Sequence, residues 1–490
     1  ADRVTCTLFF LAVAALLVAI IVPMIIDLEI QIGIKNSVVV DSPHASAFDT
    51  WQTNIEGEGD DVDVHFNVYF FDIQNPKDIL NGAKPVVLEK GPYSYLEYFL
   101  KFDVEWSDDG DTVTFNTQKF YVFDPESSAP GLSEHDNLTT LYPIEQALDK
   151  AADEYRGPKK QLILDIEAAL ETLQGDLEQF IDEAPPGMGA MKILLCEAGP
   201  GGPSPFWVTQ PQSAYFGWLN DPVMQAIANI VTAIDPSAYW TTAVPGAYIN
   251  YTTVEDTRRR RTPDTVKTGK TNSKETNRYV RWGNRTTNWV CINPGDSPQS
   301  ADFIEGEMFP ACSQFQHDWS EQQAHDHGYR LAWASDYANR IQGTDGQIYG
   351  AYVDTDKVQI FSYDIYRSAY FPLVDPDVTN WHNIKLRRYT YNPEDNYNVE
   401  TRPTQWQWNQ YALNGLTNMT FEGAPVFGSM AHFLNGDPAL LEAVEGVTPG
   451  VPEMHQTQLD VEPNTGVMPQ VHKRIQMNYW IEETVLPNMT

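Results

Sequence analysis

An uncharged apolar stretch near the N-terminus constrains this chain more than any other feature. It runs from residue 8 to residue 26, LFFLAVAALLVAIIVPMII, and is 19 residues long. A helix rises about 1.5 Å per residue, so this length nearly spans the roughly 30 Å hydrocarbon core of a bilayer. A cleaved signal peptide usually has an apolar region of only about 7–15 residues before a small-residue cleavage site. Here DLEIQIGIK follows directly, and the stretch predicts an uncleaved transmembrane helix.

The predicted anchor divides the chain into three parts. We expect residues 1–7 in the cytosol, residues 8–26 in the bilayer, and residues 27–490 as an ectodomain outside the cell or in a lumen. Cys6 lies at the expected cytosolic edge of the span. It is either a palmitoylation site or a buried thiol without a function. The plasma membrane or a lysosome-like organelle is the predicted location.

The charge balance excludes one large class of function. Acidic residues number 67 against 32 basic residues, which gives a formal net charge of −35. Such a surface repels phosphate backbones, so general nucleic-acid binding is excluded. The sequence also contains no nucleophile elbow, phosphate-binding loop or zinc-protease motif. We therefore expect a protein that is not an enzyme and uses no cofactor.

Alternating apolar and polar residues predict strands in four segments of the ectodomain, at 62–72, 111–123, 347–365 and 471–482. Between the second and third segments lies a helical block. Residues 159–183 have a helical period, 143–155 are a further candidate, and Asp221-Pro222 resembles a helix start. This order predicts an α+β fold with a helical module inserted at 143–235.

Proline and glycine pairs predict the turns. Gly91-Pro92 lies between two extended runs and predicts a turn there. Asn75-Pro76 predicts the end of one strand and the start of a helical or turn segment. Pro463-Asn464 with Gly466 predicts a hairpin.

The apolar face of the longest predicted helix is a candidate lipid site. It carries side chains at helical spacing, among them Ile166, Leu170, Leu173 and Leu177. This face is the core of a helical bundle in one interpretation and the wall of a lipid-accepting groove in the other, since both are apolar.

Sequons and cysteines indicate modifications that suit an ectodomain. The sequons lie beyond the anchor, at Asn137, Asn250, Asn284, Asn418 and Asn488. Cys291 and Cys312 bracket 20 residues rich in Pro, Gly and Ser, and they are candidates for a disulfide. Cys196 allows other pairings.

Two clusters of polar residues have a functional and a structural interpretation. His317, His325 and His327 lie near Asp318 and Asp326, but their spacing matches no zinc signature, and we expect a polar surface loop without a metal. Residues 258–285 carry ten Lys or Arg against two acidic residues. That segment is a solvated loop or hairpin that balances acidic neighbours, an anion-binding patch or a site for a basic-specific protease.

Seven passages together resemble a known family. They are FFDIQNPKDILNGAKPVVLEKGPYSYLEY (70–98), YVFDPESS (121–128), SEHDNLTTLY (133–142), IQGTDGQIYG (341–350), YDIYRSAYF (363–371), GAPVFGSMAHFL (423–434) and EGVTPGVPEMHQTQLDVEPNTGVMPQVHKRIQMN (445–478). In this order they look like the class B scavenger receptor family, which includes the fatty-acid translocase of platelets and lysosomal integral membrane protein type 2.

The resemblance implies a fold and a function. The family ectodomain is an irregular antiparallel β-barrel with an internal hydrophobic tunnel for lipids, capped by an apical helical bundle. The predicted module at 143–235 falls where the family has that apex. The family also has a second, C-terminal membrane span, and we expect the native chain to continue into one.

Three departures from the family limit what the resemblance implies. The chain stops before a second span. Ala338 and Tyr366 stand where the family has cysteines, so part of its disulfide framework is missing. The apical block carries a net charge of −9 (14 acidic and 5 basic residues), which disfavours capture of anionic particles there.

Two functions are consistent with these observations. In the first, the protein accepts a fatty acid, sterol or phospholipid at its apex and conducts it through the ectodomain to the bilayer. In the second, the acidic apical helices bind a protein, for sorting, adhesion or assembly of a membrane lattice. A protein ligand or a second copy of the chain would then be the partner.

Overall fold

A computed structural model gives the arrangement of most of the ectodomain and its anchor. The described residues are 2–55, 63–79, 81–141, 206–209, 211, 263–291, 318–327, 329–353, 355–381, 383–391, 406–409, 412–419 and 426–480. Most of the predicted helical module lies outside these ranges, so its helices remain predictions. Within it, Phe206–Thr209 forms a strand, and the inserted module is therefore not helical throughout.

The described part of the ectodomain is mostly β-structure. The anchor is helix α1 Asp2–Val38. The α-helices described in the ectodomain are α2 Phe48–Gln52, α3 Pro76–Ile79, α4 Glu321–Asp326, α5 Trp406–Asn409, α6 Pro438–Glu442 and α7 Pro452–His455. Its strands are β1 His65–Ile73, β2 Val87–Trp106, β3 Thr112–Phe123, β4 Leu138–Leu141, β5 Phe206–Thr209, β6 Asp264–Lys267, β7 Tyr279–Arg281, β8 Trp289–Cys291, β9 Tyr329–Leu331, β10 Lys357–Ser362, β11 Arg367–Trp381, β12 Ile384–Thr390, β13 Thr417–Asn418, β14 Val426–Ser429, β15 Gln458–Val461, β16 Gln470–His472 and β17 Gln476–Tyr479.

Helix α1 contains the predicted anchor and continues beyond it. Over 15–38 it is long and apolar enough to cross a membrane, and its apolar 18-residue window is not buried in the protein. The next residues enter the ectodomain core at once, because Val38 and Val40 are buried. Val40 N–H donates to Thr268 O at 3.0 Å, and Trp106 Nε1 donates to Val40 O at 2.8 Å. The anchor is thus attached to the β-structure without a linker.

Two five-stranded antiparallel sheets form the body of the ectodomain. The first has the order β1-β2-β3-β6-β7 and the second β10-β11-β12-β15-β16. A segment at 343–344 joins them: Tyr279 N–H of β7 donates to Gly343 O at 2.9 Å, and Thr344 bridges to Ile360 of β10. Gly343 has a φ of +97°, and a Cβ there would clash with the backbone of Gln359, so this close approach requires glycine. The junction curls the two sheets into one β-structure.

Aromatic side chains fill much of the core near the anchor. Val113 and Phe115 of β3 pack with Phe48 and Trp51 of α2, and the Trp51 and Phe115 rings meet edge to face at 4.9 Å. Smaller sheets, β13-β14-β17, β4-β5 and β8-β9, complete the described β-structure.

Most of the predicted strands and turns are confirmed. Strands β1 His65–Ile73 and β3 Thr112–Phe123 fall at the segments predicted at 62–72 and 111–123, and Pro463 to Gly466 lies in the connection of the hairpin formed by β15 and β16. Among the described residues of 347–365 the strand is Lys357–Ser362, and Tyr363–Ile365 forms a 3-10 turn, so this prediction is confirmed only in part. The turn predicted at Gly91-Pro92 was wrong. This pair is a bulge within β2, which pairs with β1 on both sides of it.

Candidate functional site

The inner face of the first sheet carries charged side chains among aromatic ones. On β2, Glu97, Phe99 and Lys101 alternate in position and therefore project to one side. Their cross-strand partners on β3 are Tyr121, Lys119 and Thr117. This face is directed at the second sheet, because Lys101 Nζ reaches Gln347 Oε1 and the Lys119 ammonium lies 5.8 Å from the Tyr363 ring.

Lys101 is a buried cation in an aromatic cage. The side chain is 1% exposed, and its ammonium lies 4.6 Å from the Trp51 ring and 4.9 Å from the Phe99 ring. It donates hydrogen bonds to Trp51 O at 2.6 Å and to Gln347 Oε1 at 2.8 Å. Burial lowers the pKa of Lys101 to about 8, although Asp345 opposes the change. Among the described residues the ammonium is thus held by dipoles and π-faces, and none of their carboxylates is in hydrogen-bond contact with it.

The Asp345 carboxylate is connected to Trp51 of the aromatic cage by a chain of two hydrogen bonds. Trp51 Nε1 donates to Asn277 Oδ1 at 3.1 Å, and Asn277 Nδ2 donates to Asp345 Oδ1 at 2.6 Å. Burial raises the pKa of Asp345, while Lys101 acts in the opposite direction. The chain connects α2, the segment before β7 and the segment before β10 inside the fold.

Two further lysines, one from each side of the interior, meet at Tyr363. Lys119 of β3 pairs with Glu97 at 2.5 Å, and Lys473, just after β16, pairs with Asp364. The Lys119 and Lys473 ammonium groups lie 5.8 Å and 5.3 Å from the Tyr363 ring. We call Lys119, Glu97, Tyr363, Asp364 and Lys473 the interior ionic cluster.

The open side of the interior ionic cluster is cationic. Lys473 is 48% exposed against 16% for its partner Asp364, while Lys119 and Glu97 are 16% and 13% exposed. Burial alone would lower the pKa of Lys473, but Asp364 and Tyr363 outweigh it, and the pKa is raised. The pKa of Lys119 is likewise raised, because Tyr363 and Glu97 outweigh burial. Both groups are therefore cations at neutral pH, with N–H donors that an anion can accept from.

The residues predicted as lipid contacts are not among those the structure describes. Ile166, Leu170, Leu173 and Leu177 lie in the undescribed part of the inserted module, so their role stays a prediction. The same holds for the pairing of Cys291 with Cys312, because Cys312 is not described. Cys6 lies within α1, and its palmitoylation also stays a prediction.

The described sequons differ in position. Asn137 is exposed just before β4, Asn284 lies in the turn after β7 with a φ of +63°, and Asn418 lies in β13. Asn250 and Asn488 lie outside the described residues. Glycosylation at all five stays a prediction, and exposure favours Asn137.

The histidines near α4 pack against tryptophan rings. His327 stacks on Trp319 with ring centroids 4.2 Å apart, and His325 lies edge-on to Trp289 at 5.4 Å. His317 is not described. The basic segment at 258–285 is described from residue 263 onward. In it, Lys267 pairs with Asp111 at 2.6 Å. That contact fits the interpretation as a segment that balances acidic neighbours.

Sequence reasoning missed the interior ionic cluster and Lys101. The outermost members of the cluster, Glu97 and Lys473, are more than 350 positions apart in the chain. Only the curled sheets bring the members together. One local signal was present: Lys101 has the same strand parity as Tyr95 and Phe99, so it belongs to an aromatic face.

Comparison with known proteins connects this fold to one family. The model of the CD36 family matches residues 5–489. Sensory neuron membrane protein 2 of Aedes aegypti is 27% identical, over 85% of this chain and 76% of that protein. Lysosome membrane protein 2 of Homo sapiens is 24% identical, over 95% of this chain and 78% of that protein. Sensory neuron membrane protein 1 of Helicoverpa armigera is 24% identical, over 86% of this chain and 68% of that protein.

The family match runs through both five-stranded sheets, the interior between them and the predicted anchor. It confirms the family indicated by the collinear motifs. This membrane protein belongs to the CD36 family, which is the class B scavenger receptor family.

Proposed function

We propose that this protein binds an amphiphilic lipid between its two sheets and delivers it to the bilayer that holds α1. The ectodomain would face the outside of the cell or a lumen. A lipid receptor of this kind needs an apolar environment for the chain and a polar group for the head. The lipid would reach the bilayer through the tunnel that the family resemblance implies.

The observation that carries the proposal is the meeting of Lys119 and Lys473 at Tyr363. These lysines come from different sheets, and Lys473 is half exposed although burial is the largest influence on its pKa. On this proposal, Lys473 borders an open space between the sheets. We infer that the head of the lipid lies in this space.

The exposed side of the cluster favours an anionic head. The Lys473 side chain is more exposed than that of Asp364, whereas Lys119 and Glu97 are both mostly buried, and an ammonium can donate up to three hydrogen bonds. Aromatic rings of the same inner face, such as Phe99 and Tyr121, would contact the first carbons of the chain. Each CH₂ kept from water contributes about 0.8 kcal/mol, so long chains would bind best.

The test compares two ligands that differ only in the head. Binding of hexadecanoate and of hexadecanol to the full chain in detergent micelles is measured by displacement of a fluorescent fatty acid. We expect hexadecanoate to bind at least tenfold more tightly, which corresponds to about 1.4 kcal/mol. In the double variant Lys119→Met, Lys473→Met this preference should fall below about threefold, while hexadecanol binding is unchanged.

A matched control distinguishes the cluster from general charge. Lys357→Met removes a lysine that also packs on an aromatic ring, 4.4 Å from the Tyr370 ring centroid, and it should keep the preference. Equal binding of both ligands to the unmodified chain would refute the anionic head. If neither ligand binds, lipid binding between the sheets is refuted.

A further inference from the structure

A second group of titratable side chains lies on the other face of the first sheet. Glu89 of β2 and Phe71 of β1 are cross-strand partners, and the buried His432 packs against both. The His432 ring also stacks on the His455 ring of α7, with centroids 4.0 Å apart and an interplanar angle of 16°. The stack connects α7 to the sheet.

The contacts of His432 require a proton between the imidazole and Glu89. Nδ1 lies 2.8 Å from Thr448 O, a carbonyl that only accepts, so Nδ1 carries a hydrogen. Nε2 lies 3.1 Å from Glu89 Oε1. At this distance a hydrogen lies between Nε2 and the Glu89 carboxyl group.

The contacts of His455 require the opposite state. Its Nδ1 accepts a hydrogen bond from Val451 N–H at 2.9 Å, so that nitrogen has no proton. A proton there would remove the acceptor and place a positive charge against His432. The stack therefore combines an imidazole whose Nδ1 donates with one whose Nδ1 accepts.

Charged groups around the stack raise or lower the pKa of His455. Burial and then the charge of His432 lower the pKa of His455, Glu89 acts to raise it, and Arg474 lowers it further. Tyr69 of β1 lies beside Glu89 and stays neutral, because burial raises the pKa of its phenol.

We propose that His432, His455 and Glu89 form an acid-sensitive latch that holds α7 against the first sheet. On acidification His455 gains a proton, loses the Val451 hydrogen bond and is repelled by His432. Helix α7 is four residues long, and Val451 and Met454 are exposed, so little other burial holds it. Release of α7 follows.

The sign of the pH dependence follows from the lowered pKa of His455. A histidine that is harder to protonate in the folded protein contributes stability above its ordinary pKa of 6.5. That contribution is lost as the pH falls through the folded-state value. The latch is therefore closed at neutral pH and open in acid.

Hydrogen–deuterium exchange of the full chain in micelles tests the latch. After correction for intrinsic rates, protection of peptides covering 446–456 should fall at least tenfold from pH 7.5 to pH 5.0. In His455→Phe, which stacks but does not titrate, the fall should be less than about threefold. The control His325→Phe, at a histidine packed on Trp289, should behave as the unmodified chain.

A measurement on the unmodified chain covers the case in which His455→Phe does not fold. Exchange of the histidine C2 hydrogen, read by mass spectrometry, reports the titration of each histidine. We expect His455 to titrate below 6.5. Titration at or above that value, or equal loss of protection in His455→Phe and the unmodified chain, overturns the latch.

Discussion

The buried Lys101 gives the strongest test of the interior electrostatics, through the substitution Lys101→Met. Burial lowers the pKa of Lys101 from 10.5 to about 8. Each pKa unit corresponds to about 1.4 kcal/mol, so the charged side chain destabilises the folded state by about 3 kcal/mol. Methionine has a similar length, carries no charge, and keeps contact with the aromatic cage.

The sign of the pH effect follows from proton counting. Between pH 8 and 10.5 the unfolded chain binds the Lys101 proton and the folded chain releases it, so stability rises with pH. The free energy of unfolding of the unmodified chain should therefore rise by about 2–3 kcal/mol between pH 7 and pH 10, relative to Lys101→Met. At pH 7 the variant gains from losing the charge, but it leaves Trp51 O without its hydrogen bond, which costs about 1–3 kcal/mol.

The assay is urea unfolding of the full chain in micelles from pH 7 to pH 10, followed by tryptophan fluorescence. Other groups that titrate near pH 10 are present in both Lys101→Met and the unmodified chain. Their contributions to the pH dependence therefore cancel in the difference between the two. Lys385→Met is the matched control, since Lys385 is 74% exposed in its pair with Asp377, and its pH profile should equal that of the unmodified chain. Parallel profiles for Lys101→Met and the unmodified chain would show that the ammonium is not desolvated.

Three other predictions concern stability and modification. Asp460 is fully buried and accepts two 2.7 Å hydrogen bonds from Arg388; Arg388→Met should cost about 3–5 kcal/mol, whereas Lys385→Met should cost at most about 1 kcal/mol in thermal melts. Gly446 has a φ of +99°, and a Cβ there would clash with a carbonyl oxygen of β2; Gly446→Ala should lower stability by more than about 2 kcal/mol or reduce the yield of folded protein. Asn137 is exposed; Asn137→Gln should increase gel mobility by one glycan step, and unchanged mobility would remove it from the glycosylation sites.

Local sequence patterns predicted elements whose partners are close in the chain. The hairpin at Pro463 to Gly466 is an example, because its register depends on a turn with Gly466 at a φ of +74°. Asn75-Pro76 likewise ends β1 and starts α3. In both cases the residues that determine the conformation lie within the segment itself.

The same reasoning failed where a distant strand decides the outcome. Gly91-Pro92 has the composition of a turn, but β1 pairs with β2 on both sides of it, so the extra residues form a bulge. The interior lysines were missed for a related reason. In YSYLEYFLKF both charged residues, Glu97 and Lys101, share one face, and the opposite face carries no charge, so the pattern favours burial of the opposite face and not of the lysine.

If the proposed function is correct, the lysines between the sheets would let so acidic a chain favour an anionic ligand. The net charge of −35 acts mainly through exposed groups, whose field is screened within about 10 Å at 0.1 M salt. Interior charges are screened much less, so an anion that has entered interacts mainly with Lys119 and Lys473. The surface charge should therefore slow the approach of an anionic lipid at low salt, without reducing its affinity once bound. Association rates that rise with ionic strength, at dissociation rates that hardly change, are the expected kinetic result. A dissociation rate that increased strongly with salt would place the ligand at the surface instead.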